Sequence, residues 1–251
     1  MSRIALITGG NRGLGRASAL ALGAAGTDVV ITYRSHADEA AEVVAELTAL
    51  GRQAAALRLD TTEFDTFADF ARELAGVLAA RWGRDTFDAL VNNAGAAAVS
   101  PLGQTSAETV DFLVDVHFKS VVLLTQELLP LLADNGRVLN TSTGLARFTG
   151  PGYSVYGSVK AAVETYTRYL AQELGPRGIA VNVLAPGPIA TDFGGGALRD
   201  DEGYRAALAA QTAMGRVGLP DDVGGAVAAI LAPGAGWVTG QRIEASGGSR
   251  L

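Results

Sequence analysis

The feature that most constrains the fold is the alternation of short apolar runs with longer segments of helical pattern. The segments between the runs carry Ala, Leu and Glu at helical spacing, as in residues 37–50 and 66–82. Strands and helices that alternate from start to end predict βαβ units, and hence a parallel sheet with helices on both faces. We therefore expect an α/β fold with a doubly wound, seven-stranded parallel sheet, whose strands are residues 4–7, 28–33, 54–59, 87–93, 136–142, 179–185 and 241–245.

Length and composition limit the possible classes of protein. The 251 residues, 48% hydrophobic and 18% charged, suit one large domain spanning residues 1–251. A net charge of −6 disfavours nucleic acid or an anionic membrane as a partner. The absence of cysteine excludes disulfides and zinc–thiolate sites, and we predict no metal site. No apolar run approaches the roughly 18 residues of a membrane helix, so we expect a cytoplasmic protein.

A glycine-rich turn, TGGNRGLG at residues 8–15, lies between the first strand and a helical run. Gly9, Gly13 and Gly15 allow a tight turn and a close approach to a pyrophosphate, which the following helix N-terminus would bind. A glycine-rich turn alone is weak evidence, but its position after the first strand favours dinucleotide binding in a Rossmann-type domain. Asn11, Arg12 and Leu14 of this turn are included in the predicted cofactor site.

Charge near the second strand indicates which dinucleotide binds. An NAD site places a carboxylate at the end of this strand, but here the strand ends with Tyr33 and Arg34, and Asp28 is at its start. Arg34 and Arg12 could together bind a 2′-phosphate, for which guanidinium is well suited. We therefore predict NADP(H), although two solvated arginines would give the same pattern.

Tyr156 and Lys160 lie four residues apart in a helical segment and should project from the same face. A free tyrosine has a pKa of about 10, and a nearby ammonium favours the phenolate. We expect Lys160 to lower the pKa of Tyr156 by ~2–3 units, which would allow general acid–base chemistry on a carbonyl or an alcohol. A surface pair would produce the same spacing.

These motifs occur in a characteristic order: the glycine turn, NNAG at residues 92–95, Tyr-x-x-x-Lys, and PGPIATD at residues 186–192. Together they resemble the short-chain dehydrogenase/reductase family over essentially the whole chain, in particular its ketone and 3-oxoacyl-thioester reductases. The resemblance implies that Tyr156 donates a proton to the carbonyl oxygen and that Lys160 lowers its pKa and holds the nicotinamide ribose. It also implies further cofactor contacts from Asp60, Thr61, Asn93, Ala94, Gly95, Pro186, Gly187, Ile189 and Thr191.

The family has a serine thirteen residues before the tyrosine, which polarises the substrate oxygen, and Thr143 occupies that position here. Threonine keeps the hydroxyl, so we assign this role to Thr143. Ser142, adjacent on a strand, should face the opposite side and is the alternative. Tyr153 is expected at or before the helix start, lining the substrate pocket.

His117 stands where the family often has an asparagine that holds a relay water, so it is a candidate catalytic residue. A lone histidine on a helix is also common as a packed or surface residue. Because imidazole titrates near neutral pH, we expect turnover to survive, with a histidine ionisation visible in the pH profile.

The expected function is therefore NADPH-dependent reduction of a ketone or 3-oxoacyl carbonyl. NAD-dependent oxidation of a secondary alcohol and a dinucleotide-binding scaffold without turnover remain alternatives. Residues 193–219, which include three consecutive glycines, are expected to form a substrate lid. The resemblance implies a homotetramer or homodimer.

Overall fold

The computed structural model describes residues 2–251 and contains one seven-stranded sheet with helices between its strands. The strands are β1 (Ile4–Ile7), β2 (Asp28–Tyr33), β3 (Ala54–Arg58), β4 (Phe87–Asn92), β5 (Leu132–Thr141), β6 (Ala180–Pro186) and β7 (Arg242–Ala245). Their order across the sheet is β3-β2-β1-β4-β5-β6-β7, and each neighbouring pair is parallel. The predicted doubly wound parallel sheet is confirmed.

Nine α-helices connect the strands in the described part of the chain. They are α1 (Gly13–Ala24), α2 (Ala37–Ala49), α3 (Phe67–Trp82), α4 (Ala107–Val114), α5 (Ser120–Leu128), α6 (Ser154–Leu174), α7 (Ala197–Asp200), α8 (Glu202–Ala209) and α9 (Pro220–Leu231). A π-helical turn at Asp115–Lys119 joins α4 to α5. Such turns are rare and are often found at functional sites.

The sheet is apolar on both faces because helices cover both. In β1, Ile4 and Leu6 contribute to the core under α3, α5 and α6, whereas Ala5 and Ile7 contribute to the core under α1, α2 and α9. This is the alternation that a strand's period of two requires. Strands buried on both faces read as continuous apolar runs, which is why their positions could be predicted.

Five strands, β3 to β7, differ from their predicted bounds, by one residue at each changed end except at the start of β5. β5 begins at Leu132 rather than at residue 136, because an irregularity near Asn135, whose φ is +60°, lets the chain rejoin β4 with a shifted register. β3 ends at Arg58, so Asp60 lies in the turn beyond the strand rather than closing it.

The strand order reverses between β1 and β4. After β1 the chain continues to β2 on one side of this pair, and after β4 it continues to β5 on the other side. Open α/β sheets bind ligands in the crevice at this point. Within residues 2–251, no helix is long and apolar enough to cross a membrane. In the same range, no group of three or more metal-ligating side chains could hold an ion.

Candidate functional site

A cleft of about 940 Å³ runs along the carboxyl edge of the sheet. It extends from the glycine turn after β1 to the C-terminal residues Ser249 and Arg250. All but one of the predicted site residues line it; the exception is Gly15. The cleft therefore joins the predicted cofactor end to the predicted chemical end.

The glycine turn fits a pyrophosphate for steric reasons that differ from one glycine to the next. Gly9 and Gly13 have φ values of +63° and +54°, in the left-handed region that favours glycine. Gly15 is buried, and a Cβ on it would lie 2.1 Å from the carbonyl oxygen of Gly9. Gly15 therefore packs against the Gly9 carbonyl, where only glycine fits, and does not line the cleft.

The turn is held by two asparagines. Asn93 donates from Nδ2 to the carbonyl oxygens of Thr8 (2.9 Å) and Gly9 (3.2 Å), which fastens the turn to the end of β4. Asn11 donates from Nδ2 to the Glu39 carboxylate at 2.6 Å, so its side chain ties the turn to α2. These bonds fix the turn that leads into α1, whose first amide groups have no side-chain cap and can serve an anion.

The adenosine end of the cleft carries exposed positive charge. Arg12 and Arg34 both line it and are exposed, and neither guanidinium forms a salt bridge or hydrogen bond within residues 2–251. Asp28 is buried at the opposite edge of the sheet, where it accepts bonds from the Gln53 amide (3.0 Å) and the Trp82 indole (3.0 Å). Asp28 therefore has a structural role and cannot serve a ribose.

Asp60 lies near Arg34 and stays ionised. Partial burial acts to raise its pKa, but two hydrogen bonds from Thr62 and the nearby charges of Arg34 and Arg58 outweigh burial and lower it. The Thr62 amide and hydroxyl donate to one carboxylate oxygen at 2.9 and 2.7 Å. The second oxygen is left free to accept a bond from a ligand in the cleft.

At the chemical end, α6 presents Tyr156 and Lys160 one turn apart, with side chains in the cleft wall and exposures of only 7% and 4%. Lys160 donates from Nζ to the carbonyl oxygen of Thr141 at 2.8 Å, which orients the ammonium at the end of β5. Tyr153 precedes the first residue of α6, as expected, and its ring lies 6.3 Å from that of Tyr156.

The protonation states differ from the expectation that Lys160 lowers the pKa of Tyr156. Burial raises the pKa of Tyr156 above its usual value of 10, and only the hydrogen bond with the Thr143 hydroxyl lowers it appreciably. Burial also lowers the pKa of Lys160 to about 7. Desolvation thus dominates both groups, and Tyr156 is a neutral phenol at physiological pH, the state needed to donate a proton.

Thr143 and Ser142 point to opposite sides, as their adjacent positions predict. The Thr143 hydroxyl lies beside the Tyr156 phenol and accepts a bond from the Leu145 amide at 3.3 Å. The Ser142 hydroxyl is buried and donates to the Glu164 carboxylate at 2.6 Å. Thr143 is therefore the hydroxyl available to a substrate.

His117 is buried in the π-helical turn, with its ring 5.2 Å from that of Tyr156 and nearly perpendicular to it. Its Nε2 lies 2.7 Å from the carbonyl oxygen of Ala96, which can only accept, so Nε2 carries the proton. Its Nδ1 has no partner in the described chain and is 3.3 Å from where a Cβ on Gly95 would lie.

Burial, with a smaller contribution from the charge of Lys160, lowers the pKa of His117 to about 3. The expected histidine ionisation near neutral pH is therefore wrong for this environment. A buried imidazole that donates to a carbonyl stays neutral, and its other nitrogen is a buried hydrogen-bond acceptor next to Gly95.

The segment after β6 completes the cofactor half of the cleft. Gly187 packs so closely that a Cβ would lie 2.7 Å from the Cα of Ser246. Ile189 pairs with Gly218 across a short bridge, and Thr191 accepts a bond from the Phe193 amide at 3.2 Å. These contacts fix the loop that the resemblance assigns to the nicotinamide.

Comparison with known proteins identifies the family. Residues 9–250 match a family model described as enoyl-(acyl carrier protein) reductase. A short-chain dehydrogenase from Burkholderia cenocepacia, solved in complex with NADP, superposes with a TM-score of 0.90 at 34% identity, covering 99% of this chain and 98% of that one. The chain belongs to the short-chain dehydrogenase/reductase family.

Other members of the family are similar over nearly their full length. An uncharacterised oxidoreductase of Methylorubrum extorquens is 36% identical, covering 99% of this chain and 98% of the relative. A 3-oxoacyl-[acyl-carrier-protein] reductase of Synechocystis is 34% identical, with 98% and 96% covered. The structure of the promiscuous reductase LugOII, which catalyses a keto-reduction, has a TM-score of 0.92 at 35% identity, with 98% and 96% covered. This short-chain dehydrogenase/reductase is thus an oxidoreductase with ketoreductase-like relatives.

Several cleft residues were missed by sequence reasoning. Ser35 and His36 line the same end of the cleft as Arg34, and His36 has a φ of +60°. A short polar stretch after a strand gives little sequence signal. Phe148 and Arg250 line the substrate end, but they come from distant parts of the chain and stack at 4.6 Å, a proximity that no local pattern predicts.

Proposed function

We propose that this short-chain dehydrogenase/reductase is an NADPH-dependent carbonyl reductase acting on a ketone or 3-oxoacyl group. The observation that carries the proposal is the placement of a neutral Tyr156 phenol beside the Thr143 hydroxyl and Lys160, in a cleft that leads to Arg12 and Arg34. The NADP complex of the Burkholderia cenocepacia relative supports the choice of cofactor.

When bound, the reduced nicotinamide supplies a hydride to the carbonyl carbon. Thr143 donates a hydrogen bond to the carbonyl oxygen, which stabilises the negative charge that develops there. Tyr156 then donates its proton to that oxygen, so the product is an alcohol. Lys160 would bind the nicotinamide ribose. Its positive charge would stabilise the phenolate that remains on Tyr156 after the proton has been transferred.

A route for the returning proton involves His117. Because Nε2 donates to Ala96, Nδ1 is a buried acceptor beside Gly95, and Lys160 lies near enough for its charge to influence the imidazole. We propose that His117 borders the path by which Lys160 and Tyr156 recover a proton, accepting a hydrogen bond without itself titrating.

The substrate end favours a carbonyl on an apolar or aromatic framework. Its walls include the rings of Phe148, Tyr153, Phe193 and Tyr204, and Phe193 lies 6.2 Å from Tyr156 between ring centroids. A hydroxynaphthalene reductase of Aspergillus fumigatus, 31% identical over 95% of this chain and 89% of its own, supports aromatic ketones as candidates.

Residues 193–219 form the proposed lid over this end. Phe193–Gly196 contains three glycines with φ values of +67°, +78° and +79°, and α7 and α8 follow. Phe193 from this segment lies against Tyr156, so closure of the segment would shield the reaction from water. Assembly as a homotetramer or homodimer and a cytoplasmic location remain predictions.

The test compares initial rates of NADPH and NADH oxidation with a panel of aliphatic, aromatic and 3-oxoacyl carbonyls. We expect kcat/KM to be at least tenfold higher with NADPH, since Arg12 and Arg34 would bind the 2′-phosphate. Replacing Arg34 with Glu should reverse the preference. Equal or better performance with NADH would contradict the cofactor assignment and favour an NAD-dependent alcohol dehydrogenase.

A further inference from the structure

We propose that Arg242 is a positioning residue for the proposed reductase, acting through Thr143. Arg242 is at the start of the edge strand β7 and is not among the residues lining the cleft. Its guanidinium donates from Nη2 to the carbonyl oxygen of Thr143 at 3.1 Å, directly behind the hydroxyl that faces Tyr156. The inference rests on the proposed function only for its kinetic readout.

Arg242 is held in place by α6, the helix that carries Tyr156 and Lys160. Glu164 follows Lys160 by four residues and therefore shares its face of the helix. The Glu164 carboxylate accepts from Arg242 Nε at 2.7 Å and from the Ser142 hydroxyl at 2.6 Å. One carboxylate thus fixes both the residue before Thr143 and the guanidinium that binds the Thr143 carbonyl.

The same cluster continues to the far wall of the cleft. Arg242 Nη1 donates to Glu244 at 2.5 Å, and Glu244 also accepts from Arg147 Nε at 2.7 Å. Arg147 in turn donates to the carbonyl oxygens of Ser249 (2.9 Å) and Arg250 (3.2 Å), which line the substrate end. Two arginines and two glutamates thereby connect β5, α6, β7 and the C-terminal segment.

The burial of the cluster indicates why it is present. Glu164 and Arg242 side chains are only 12% and 22% exposed. A largely buried ion pair adds little net stability, because desolvation of the charges offsets their attraction. Its effect is geometric: a guanidinium with donors in a rigid fork holds three acceptors at fixed angles, which a lysine cannot do. The acceptors are Glu164, Glu244 and the Thr143 carbonyl.

The kinetic test is a double-mutant cycle between Arg242 and Thr143. We expect Arg242→Met to lower kcat about tenfold or more in the parent, but less than about twofold when Thr143 is already alanine. NADPH affinity, measured by fluorescence titration, should be unchanged. Arg242→Lys keeps the charge and should fold normally, yet lose most of the same activity. The same fractional loss in both backgrounds would overturn the inference.

A second readout does not need turnover. The amides of Leu145 and Ala146 donate to the Thr143 hydroxyl (3.3 Å) and carbonyl (3.2 Å), so their hydrogen exchange reports on Thr143. We expect faster exchange there in Arg242→Met and Arg242→Lys, and no change in the glycine turn. The matched control is Arg168→Met, an exposed arginine of α6 that contacts the main-chain oxygen of Glu164 (3.4 Å) and the Thr165 hydroxyl (3.1 Å) but not the Glu164 carboxylate.

The two readouts separate failure of the inference from failure of the proposed function. Unchanged exchange at Leu145 and Ala146 overturns the positioning role, whether or not any ketone is reduced. Faster exchange in a protein that reduces no ketone would support the positioning role and count against the reductase proposal alone. If Arg168→Met and Arg242→Met accelerated exchange at Leu145 and Ala146 equally, loss of any positive charge near α6 would suffice. That result would contradict the inference.

Discussion

We propose that Thr143 binds the substrate oxygen through its hydroxyl group. It lies beside the Tyr156 phenol, and its carbonyl is fixed by Arg242. The branched side chain restricts χ1, so the hydroxyl has few alternative directions. In the proposed role, threonine would therefore supply the same hydrogen bond as serine in a more rigid form.

Removing this hydroxyl should lower kcat far more than it changes substrate affinity. We expect Thr143→Ala to lower kcat about 10²- to 10³-fold, because it removes a donor to the charge that develops on oxygen. Thr143→Ser should retain activity within about threefold, since the donor remains. Steady-state kinetics with a responsive ketone measure both. Loss of activity in Thr143→Ser as large as in Thr143→Ala would mean that the methyl, not the hydroxyl, matters.

His117 should make the protein sensitive to acid without appearing in the kinetic pH profile. Its pKa in the folded protein is about 3, whereas the unfolded chain binds the proton with a pKa near 6.5. Between these values the unfolded state holds the extra proton, so this contribution to stability is present above pH 6.5 and lost as pH falls, by about 1.4 kcal/mol per unit.

His117→Asn should remove this dependence. Urea unfolding at pH 7.5 and pH 5 measures the free energy of unfolding, and we expect the variant to lose less stability than the parent over that interval. The matched control is His36→Asn, which changes the chain's other histidine, an exposed residue. An equal acid dependence in the parent and His117→Asn would show that the imidazole is not buried as a neutral group.

At the scale of elements, the glycine turn shows how the start of a helix becomes a binding site. Gly15 sits in the first turn of α1, where a Cβ would lie 2.1 Å from the Gly9 carbonyl oxygen and 2.7 Å from Asn93 Nδ2. Adding a methyl group must move backbone, since the Gly9 oxygen is a main-chain atom and displacing Asn93 Nδ2 would break its bonds to Thr8 and Gly9. The turn would then lose the shape that receives the pyrophosphate.

We therefore expect Gly15→Ala to weaken NADPH binding by about tenfold or more, and to destabilise the fold by about 1–3 kcal/mol through overpacking. Gly76→Ala in α3 is the control, because no described atom lies within 4 Å of its added Cβ. That variant should raise stability by about 0.5–1 kcal/mol, as alanine favours a helix interior. Calorimetry and fluorescence titration measure the two effects. Unchanged NADPH affinity in Gly15→Ala would contradict the turn's role.

The elements themselves could be predicted because their signals are local. Strands buried on both faces form continuous apolar runs, and Tyr156 and Lys160 share a helix face by their spacing alone. The protonation states could not be predicted, since burial rather than the adjacent charge decides the pKa of Tyr156. The Arg242 contact was also missed, because it joins residues 99 positions apart in the chain.

At the scale of the whole molecule, the sheet brings two separate sites to one edge. The glycine turn and Asn93 follow β1 and β4 at the reversal of strand order, while Thr143 follows β5 and the 186–191 loop follows β6. Four strands thus bring the groups proposed to bind cofactor and substrate to one cleft of about 940 Å³. The order of motifs along the sequence predicts this arrangement only once the fold is recognised.

The central claim is that Tyr156 transfers the proton to the carbonyl oxygen, and Tyr156→Phe tests it most directly. With NADPH and a responsive ketone, we expect kcat to fall by about 10²- to 10⁴-fold, the usual contribution of a general acid. The variant should bind NADPH within about threefold of the parent, since the ring and its contacts with His117 and Phe193 remain. Turnover within a few-fold of the parent, in a variant that binds NADPH normally, would contradict the account.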